Sequence, residues 1–281
     1  MIPAISGLAG ALLFTTSVVC GLLVLSVIGG RVFRTDQSRR EEISRSRVRP
    51  LILNIFDGES EFDLPRRDRR ALISLSAEMA GQVRGDDRSA LTRWLATQRF
   101  DRVCLKQMRS PFALKRAQAL SRFAPMAHLA PRSLERMLAD KNVGVRSLAA
   151  QIAGLSGAST MVPALLHSVE GTREIPARII SMAVLRTAPT SISAFGGTIT
   201  DSNDRVRALA IDLAGQLNLV DARRSIEAGL ESDSSAVRAA SIRALQRLGS
   251  PLSLPALEKM SAHNPQERLF VQAVIHDIRV G

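Results

Sequence analysis

The sequence has few aromatic residues and few cysteines. Tyrosine is absent, Trp94 is the single tryptophan, and aromatic residues make up 4% of the 281 positions. Because proteins that bind single-stranded nucleic acid stack bases on aromatic side chains, this composition argues against that class of protein. The two cysteines, Cys20 and Cys104, are far apart in the chain. We therefore expect no disulfide framework, which fits a reducing environment for the soluble part.

Motifs that carry catalysis, cofactors or metals are also missing. The four histidines, at positions 128, 167, 263 and 276, do not have metal-ligand spacing relative to one another or to cysteine. There is no Gly-x-Ser-x-Gly sequence, and Gly196-Gly197 lacks the lysine and the preceding strand of a phosphate-binding loop. We therefore predict that the protein is not an enzyme and has no catalytic, cofactor-binding or metal-binding residues.

Basic residues are abundant, and almost all of them are arginine. The chain has 38 Lys and Arg against 26 Asp and Glu, a net charge of +12, and only four of the basic residues are lysine. Scattered arginine fits coding bias in a GC-rich genome, whereas clustered arginine forms a surface for nucleic acid, acidic lipid or an acidic protein. Their spread along the chain favours the first interpretation for most of them.

One long apolar segment, residues 8–28, contains no charged residue. As a helix it would be about 31 Å long, which is enough to cross the hydrocarbon core of a bilayer. A cleaved signal peptide would have a shorter apolar run with basic residues before it, and a lipoprotein signal would have a small residue before Cys20. We therefore predict a transmembrane anchor in residues 1–30 of a single-pass protein of the cell membrane.

Seven arginines and three acidic residues follow this segment between Arg31 and Arg49. By the positive-inside rule they place the remaining chain in the cytoplasm. The same arginines could contact anionic lipid. We predict that residues 31–63 form a basic juxtamembrane linker.

An apolar pattern recurs about every 31 residues in the second half of the chain. In the segment that starts at Val206, apolar or small residues at offsets 0, 4, 7 and 11 lie on one face of a helix. A second apolar segment with helical spacing precedes each copy, and prolines stand where several of these helices would begin. Helical pairs repeated in this way bury their apolar faces only against neighbouring pairs. The six copies start at positions 113, 145, 177, 206, 237 and 267.

These segments resemble HEAT repeats. DKNVGVRSLAAQIAGL, DSNDRVRALAIDLAGQL and SDSSAVRAASIRALQRLG are similar to second helices of such repeats, and MVPALLHSV and LPALEKM are similar to first helices. The resemblance covers residues 110–281 and implies a right-handed α-solenoid of about five to six helical pairs that binds proteins. Residues 64–109 also have helical spacing and are predicted to form an N-terminal cap. The expected fold class is all-α, with the transmembrane helix ahead of the solenoid.

Two sets of residues are candidates for a site. In the first set, arginines stand one residue after the start of five of the six copies, and in two copies an aspartate stands five residues before the valine of Val-Arg. The resemblance implies that these residues pair within or between repeats, and the alternative is a ladder for an acidic ligand. This set is Asp140, Arg146, Arg178, Asp201, Arg207, Arg238 and Arg268. The second set, proposed to bind a partner, is Arg243, Arg247, Phe270 and Ile278.

The expected function is a membrane-tethered scaffold that binds an unidentified protein partner through the second helices and accompanies a membrane or envelope enzyme complex. One alternative is a basic patch that binds anionic lipid or nucleic acid, of which nucleic acid is not favoured. The other is an enzyme similar to the HEAT-like phycobilin lyases or alkylpurine DNA glycosylases. Loss of binding between low and moderate salt would favour the basic patch.

Overall fold

The computed structural model describes residues 42–280 of the chain. All regular secondary structure in this range is helical, as predicted. Contacts between residues divide the chain into two compact units, one up to Gln98 and one from Arg99 onwards. The predicted transmembrane segment, residues 8–28, lies outside the described range. Within residues 42–280, no helix is both long and apolar enough to cross a membrane.

Within residues 42–98, the first unit packs four helices around a small apolar core. These are α1 (residues 42–48), α2 (Leu51–Phe56), α3 (Arg66–Ala80) and α4 (Gly85–Thr97). Ile52 and Ile55 lie one turn apart on α2 and are each 2% exposed, and α2 contacts both α3 and α4. The predicted linker over residues 31–63 is therefore wrong for α1 and α2, because these helices contribute buried residues to a folded unit.

The second unit is a series of helical pairs. Each pair has a first helix, a turn and a second helix, and 3₁₀ turns often introduce the first helix. The α-helices are α5 (Phe100–Gln107), α6 (Ala113–Phe123), α7 (Pro131–Leu138), α8 (Val143–Leu155), α9 (Val162–His167), α10 (Ala177–Thr187), α11 (Asp204–Gln216), α12 (Arg223–Ala228), α13 (Ser235–Leu248), α14 (Leu254–Lys259) and α15 (Pro265–Val280).

The second helices stack on one another in chain order. Helix α6 contacts α8, α8 contacts α10, α10 contacts α11, α11 contacts α13, and α13 contacts α15. Each of these helices begins within two residues of a predicted repeat start. The predicted helical repeat is therefore confirmed, while its handedness stays a prediction. Helix α5 packs against α6, so it belongs to the first pair rather than to the predicted cap over residues 64–109.

One predicted first helix is replaced by two 3₁₀ turns, Ile192–Phe195 and Thr198–Thr200. Gly196 and Gly197 separate them with φ angles of 55° and 86°, a left-handed conformation that ends a helix. Phe195 and Ile199 are nevertheless buried, as their apolar spacing predicts.

Two glycines set the distance between neighbouring second helices. A Cβ added to Gly154 of α8 would lie 2.6 Å from the carbonyl oxygen of Ala183 in α10. A Cβ added to Gly215 of α11 would lie 2.6 Å from the Cα of Ala244 in α13. Both distances are shorter than van der Waals contact, so these helices approach closely only because a side chain is absent.

Candidate functional site

Arginines at the starts of the second helices connect successive pairs. Arg116, Arg146, Arg207 and Arg238 are each the fourth residue of their helix, and we call them the arginine ladder. Three of them are at most 7% exposed, and the Arg207 side chain is 26% exposed. Each ladder arginine donates hydrogen bonds in two directions. Some go to the beginning of its own helix or to the turn before it, and the others go to the following helical pair.

The first ladder residue forms a buried, bidentate ion pair. Arg116 Nε donates to Asp140 Oδ2 and Nη2 donates to Oδ1, both at 2.7 Å, and each side chain is 6% exposed. Arg116 Nη1 also donates to the carbonyl oxygens of Ser110 and Pro111 at 2.9 Å. The turn between α5 and α6 is therefore attached to the turn between α7 and α8.

The other three arginines repeat this arrangement with different partners. Arg146 donates to the carbonyl oxygen of Asp140 at 2.8 Å and to that of Glu174 at 3.3 Å. Arg207 donates to Asp204 Oδ1 at 2.9 Å and to Ser232 Oγ at 2.6 Å. Because these donors bond within the protein, the contacts favour the structural interpretation of the row over an acidic-ligand ladder.

Arg238 is the last residue of the arginine ladder and bonds to the last helical pair. Its Nη1 donates to the carbonyl oxygens of Ser232 and Asp233 at 2.9 Å, and its Nε donates to Glu267 Oε1 at 2.7 Å. The two carbonyls lie six and five residues before the arginine, as they do for Arg116. This repeated geometry shows that the same local interaction fixes both turns.

Arg178 and Arg268 were predicted in the row but do not bond within it. Arg178 is only the second residue of α10, where it is exposed, and Ile180 occupies the ladder position with 0% exposure. Arg268 is the fourth residue of α15 and is also exposed. Arg116 was not predicted because the apolar template was aligned two residues too early at Ala113. Counting from the start of the helix, rather than from the apolar stripe, would have found it.

Two aspartates of the predicted row fix the turns before their helices. Asp140 Oδ1 and Asp201 Oδ1 each accept a hydrogen bond at 2.8 Å from the backbone N–H of an asparagine two residues later. Those asparagines, Asn142 and Asn203, in turn cap the N-termini of α8 and α11. Since Ile180 replaces the arginine that would face it, Asp201 instead has His167 Nε2 at 3.6 Å.

Burial and hydrogen bonds act in opposite directions on the ladder carboxylates. Burial raises the pKa of Asp140, but hydrogen bonds from Arg116 and the Asn142 N–H outweigh it, and the pKa lies below its ordinary value. Burial likewise raises the pKa of Glu267, and the bonds from Arg238 and the His263 N–H bring it below its ordinary value. Both carboxylates are thus ionised in the folded protein at neutral pH.

We expect stability to fall in acid because of these two groups. Their ordinary pKa values are 3.8 and 4.5, and folding lowers both, so the unfolded chain binds more protons in acid. Their contribution is complete above the unfolded values and is lost as pH falls through the folded values. A melting temperature measured by circular dichroism should be flat above about pH 5 and fall below about pH 4. Glu267→Gln should make that fall shallower, and an unchanged slope would contradict the assignment.

Arg243 and Arg247, two of the predicted partner-binding residues, lie on α13 and share one carboxylate. Arg247 Nη1 is 2.8 Å and Arg243 Nε is 3.4 Å from Asp212 Oδ1 on α11. The Arg243 side chain is 44% exposed and the Arg247 side chain is 41% exposed, so both also remain accessible. Asp212 was not predicted. Burial raises its pKa, but the bonds from Arg247 and Gln216 hold it below its ordinary value.

The other two predicted partner-binding residues, Phe270 and Ile278, both lie on α15 but differ in exposure. Ile278 is 7% exposed, whereas Phe270 is partly exposed. Ile278 faces the core because it continues the buried stripe of Val271 and Val274 on α15, which packs against α13 and α14. The prediction of Ile278 as a docking residue is therefore corrected, and that of Phe270 stays a prediction.

A cleft of about 550 Å³ opens between α14 and α15. Its lining is mixed: apolar side chains from both helices lie beside the Arg268 guanidinium and the Glu258 carboxylate. The apolar residues that line it are Leu257, Met260, Ala262, Val271 and Ile275. The cleft therefore presents partly exposed apolar side chains beside one exposed cation.

Reactive groups are few in the described part of the chain. In residues 42–280, no group of three or more His, Cys, Asp or Glu side chains is placed to hold a metal ion. Cys104 is buried, and burial raises the pKa of its thiol to about 12. At neutral pH this thiol is protonated and is therefore a poor nucleophile.

One comparison with known proteins agrees with the helical repeat. Residues 194–275 match the family of HEAT repeats. A solved structure of human deoxyhypusine hydroxylase in complex with glycerol is 13% identical and covers 85% of this chain and 98% of its own, but its TM-score of 0.29 is too low to support an argument. No curated protein matches the sequence. The chain is therefore an α-helical repeat protein, of which residues 194–275 are similar to HEAT repeats.

Proposed function

We propose that the protein is a membrane-tethered scaffold that binds a protein partner and has no catalytic activity. HEAT repeats are generally protein-interaction scaffolds, which supports the binding role. The uncharged segment of residues 8–28, followed by arginines, supports a single-pass anchor with the repeat in the cytoplasm. The buried thiol, and the lack of a metal-binding group within residues 42–280, give no support to the enzyme alternatives.

The observation that carries the binding role is the cleft between α14 and α15. Met260, Ala262 and Ile275 in its lining are partly exposed, and Arg268, unlike the ladder arginines, is exposed beside it. An apolar side chain in the cleft and an acidic group near Arg268 would together define a complementary segment of a partner. A membrane enzyme complex suits this role because a tether confines both proteins to one surface.

The test is crosslinking with mass spectrometry in intact membranes, comparing the full chain with a variant that lacks residues 1–30. We expect crosslinks from the region of α14 and α15 to one recurring membrane-associated partner. We also expect the truncated variant to leave the membrane fraction and to lose most of these crosslinks. A full chain that stays in the soluble fraction would refute the anchor, and crosslinks spread evenly over the surface would refute the binding site.

Two substitutions in α15 separate binding from folding. Ile275→Asp, at a partly exposed residue that lines the cleft, should reduce partner crosslinks roughly tenfold, the effect of losing one well-placed apolar contact, with little change in melting temperature. Ile278→Asp should instead lower the unfolding free energy by about 3 kcal/mol or more, because it buries a carboxylate. Leu252→Asp, at an apolar residue that is 71% exposed outside this cleft, is the control and should change neither quantity. Equal loss of crosslinks in Ile275→Asp and Leu252→Asp would contradict the assignment.

A further inference from the structure

Uncompensated positive charge is concentrated at the beginning of the second unit. Residues 99–141 contain ten Lys and Arg but only three Asp and Glu, a net charge of +7 out of +12 for the chain. Nine of the ten basic residues are exposed, and the tenth, Arg116, is the buried partner of Asp140. The arginines and lysines are therefore clustered, in contrast to the even spread inferred from the whole sequence.

Two neighbouring turns in this region carry both exposed cations and exposed apolar side chains. They are the turn before α6 and the turn before α8, which the Arg116–Asp140 pair holds together. Phe112 is 62%, Leu114 70% and Val143 54% exposed. We call the following set the basic turn surface: Arg109, Phe112, Leu114, Lys115, Lys141 and Val143.

The charge of this surface is not neutralised within the protein. Asp140 is the single acidic residue in residues 108–116 and 139–147, and its carboxylate is already bound by Arg116. Arg109, Lys115 and Lys141 make no ion pair with any residue in the described range. Three positive charges thus remain available to an anionic ligand.

The apolar side chains are held in place rather than loosely attached. Arg116 fixes the carbonyl oxygens of Ser110 and Pro111, and the Phe112 N–H donates to Ser110 Oγ at 3.3 Å. Lys115 Nζ lies 5.1 Å from the centre of the Phe112 ring. A buried ion pair therefore keeps Phe112 and Leu114 exposed, although exposure of large apolar side chains to water is unfavourable.

We propose that the basic turn surface docks on the headgroup region of an anionic lipid bilayer. Lysine and arginine beside an acidic leaflet are attracted to it, and neighbouring Phe, Leu and Val side chains enter the boundary with the acyl chains. Nucleic acid would use the cations and an aromatic ring, but the aliphatic Leu114 and Val143 would stay exposed. The proposal deepens the membrane-tethered function and rests on it for the presence of a nearby membrane.

The test measures whether position 112 reaches the acyl chains. Full-length Phe112→Trp is reconstituted with vesicles that contain brominated lipid, either neutral phosphatidylcholine or a mixture rich in phosphatidylglycerol. We expect the bromine to quench the new tryptophan in anionic vesicles but not in neutral ones. Trp94, which is 4% exposed, gives the same background in every sample. Val220→Trp is the control, at an apolar residue that lies outside the basic turn surface and is 63% exposed. Its tryptophan should not be quenched in either kind of vesicle.

Charge reversal tests the electrostatic part of the proposal. In the Phe112→Trp protein, Arg109→Glu, Lys115→Glu and Lys141→Glu together should weaken binding of this surface to anionic vesicles by roughly 100-fold and abolish the quenching. The control reverses three exposed basic residues outside the surface, Arg186, Arg224 and Lys259, and should leave the quenching unchanged.

Each outcome supports or overturns the proposal. Absence of quenching at position 112, or equal loss in the two charge-reversed proteins, would overturn it. A change in the tryptophan emission of the Phe112→Trp protein on addition of an RNA oligonucleotide, without quenching by vesicles, would overturn it in favour of nucleic acid. Co-flotation of the protein with neutral vesicles tests the transmembrane anchor separately. The proposal of the anchor and the proposal of the lipid-docking surface can therefore fail independently.

Discussion

Replacing Arg116 by Met should lower the unfolding free energy by about 3–5 kcal/mol, the cost of breaking a buried ion pair from one side. The substitution would leave the Asp140 carboxylate 6% exposed without its bidentate partner. It would also remove the donor that satisfies the carbonyl oxygens of Ser110 and Pro111. Urea denaturation followed by circular dichroism measures the change, and a similar midpoint for Arg116→Met and the natural protein would contradict it.

Two comparisons isolate the ion pair from the general effect of losing an arginine. Arg178→Met removes an exposed arginine from the same kind of helix start and should change stability by less than about 0.5 kcal/mol. Asp140→Asn in the Arg116→Met protein should recover part of the loss, because the second change removes the uncompensated charge. If the double variant is as unstable as the sum of the single variants, the two side chains are not coupled.

Replacing Gly215 by Ala should destabilise the second unit by about 2 kcal/mol. In an isolated helix this change is favourable by about 1 kcal/mol, because Ala has the higher helix propensity. Here the added Cβ would lie 2.6 Å from the Cα and 2.7 Å from the Cβ of Ala244, so α11 and α13 would have to move apart. Overpacking of this kind costs about 1–3 kcal/mol, and more when the obstacle is backbone. The free-energy cost of overpacking therefore exceeds the gain from the higher helix propensity of alanine.

The control uses the same repeat position on the following helix. Gln246 of α13 corresponds to Gly215 of α11, and its side chain is exposed. Gln246→Ala should therefore change the melting temperature very little, whereas Gly215→Ala and Gly154→Ala should both lower it. A Gly215→Ala protein that melts at a higher temperature than the natural protein would show that propensity outweighs packing.

The helical repeat could be predicted because its signal is local. Apolar residues such as Val206, Ala210 and Leu213 lie on one helical face, and each is 0% exposed. The same reasoning failed for residues 42–56, where Ile52 and Ile55 are buried although the surrounding arginines are typical of a linker. Two apolar residues on a short helix carry too little periodicity to show whether a partner covers them.

The partner of a charged side chain was harder to predict. Arg243 and Arg247 were predicted to bind a partner, but Asp212, which lies 31 and 35 residues earlier, was not recognised as their counter-ion. Arg178 was included in the row and Arg116 was left out because the apolar template was aligned two residues too early on both helices. A shift of two residues rotates a side chain by more than half a helical turn, from solvent to the interface between pairs.

The order of the helices and the identity of the apolar face follow from the sequence alone, because the spacing of apolar residues within each helix shows which side of it is buried. Tertiary structure decided which arginines are buried, where two helices approach closely enough to need glycine, and which turns lie side by side. Those properties depend on residues about thirty positions apart that meet only when the pairs stack. The charge and apolar exposure of the basic turn surface became a candidate for recognition only once the Arg116–Asp140 pair had placed its two turns together.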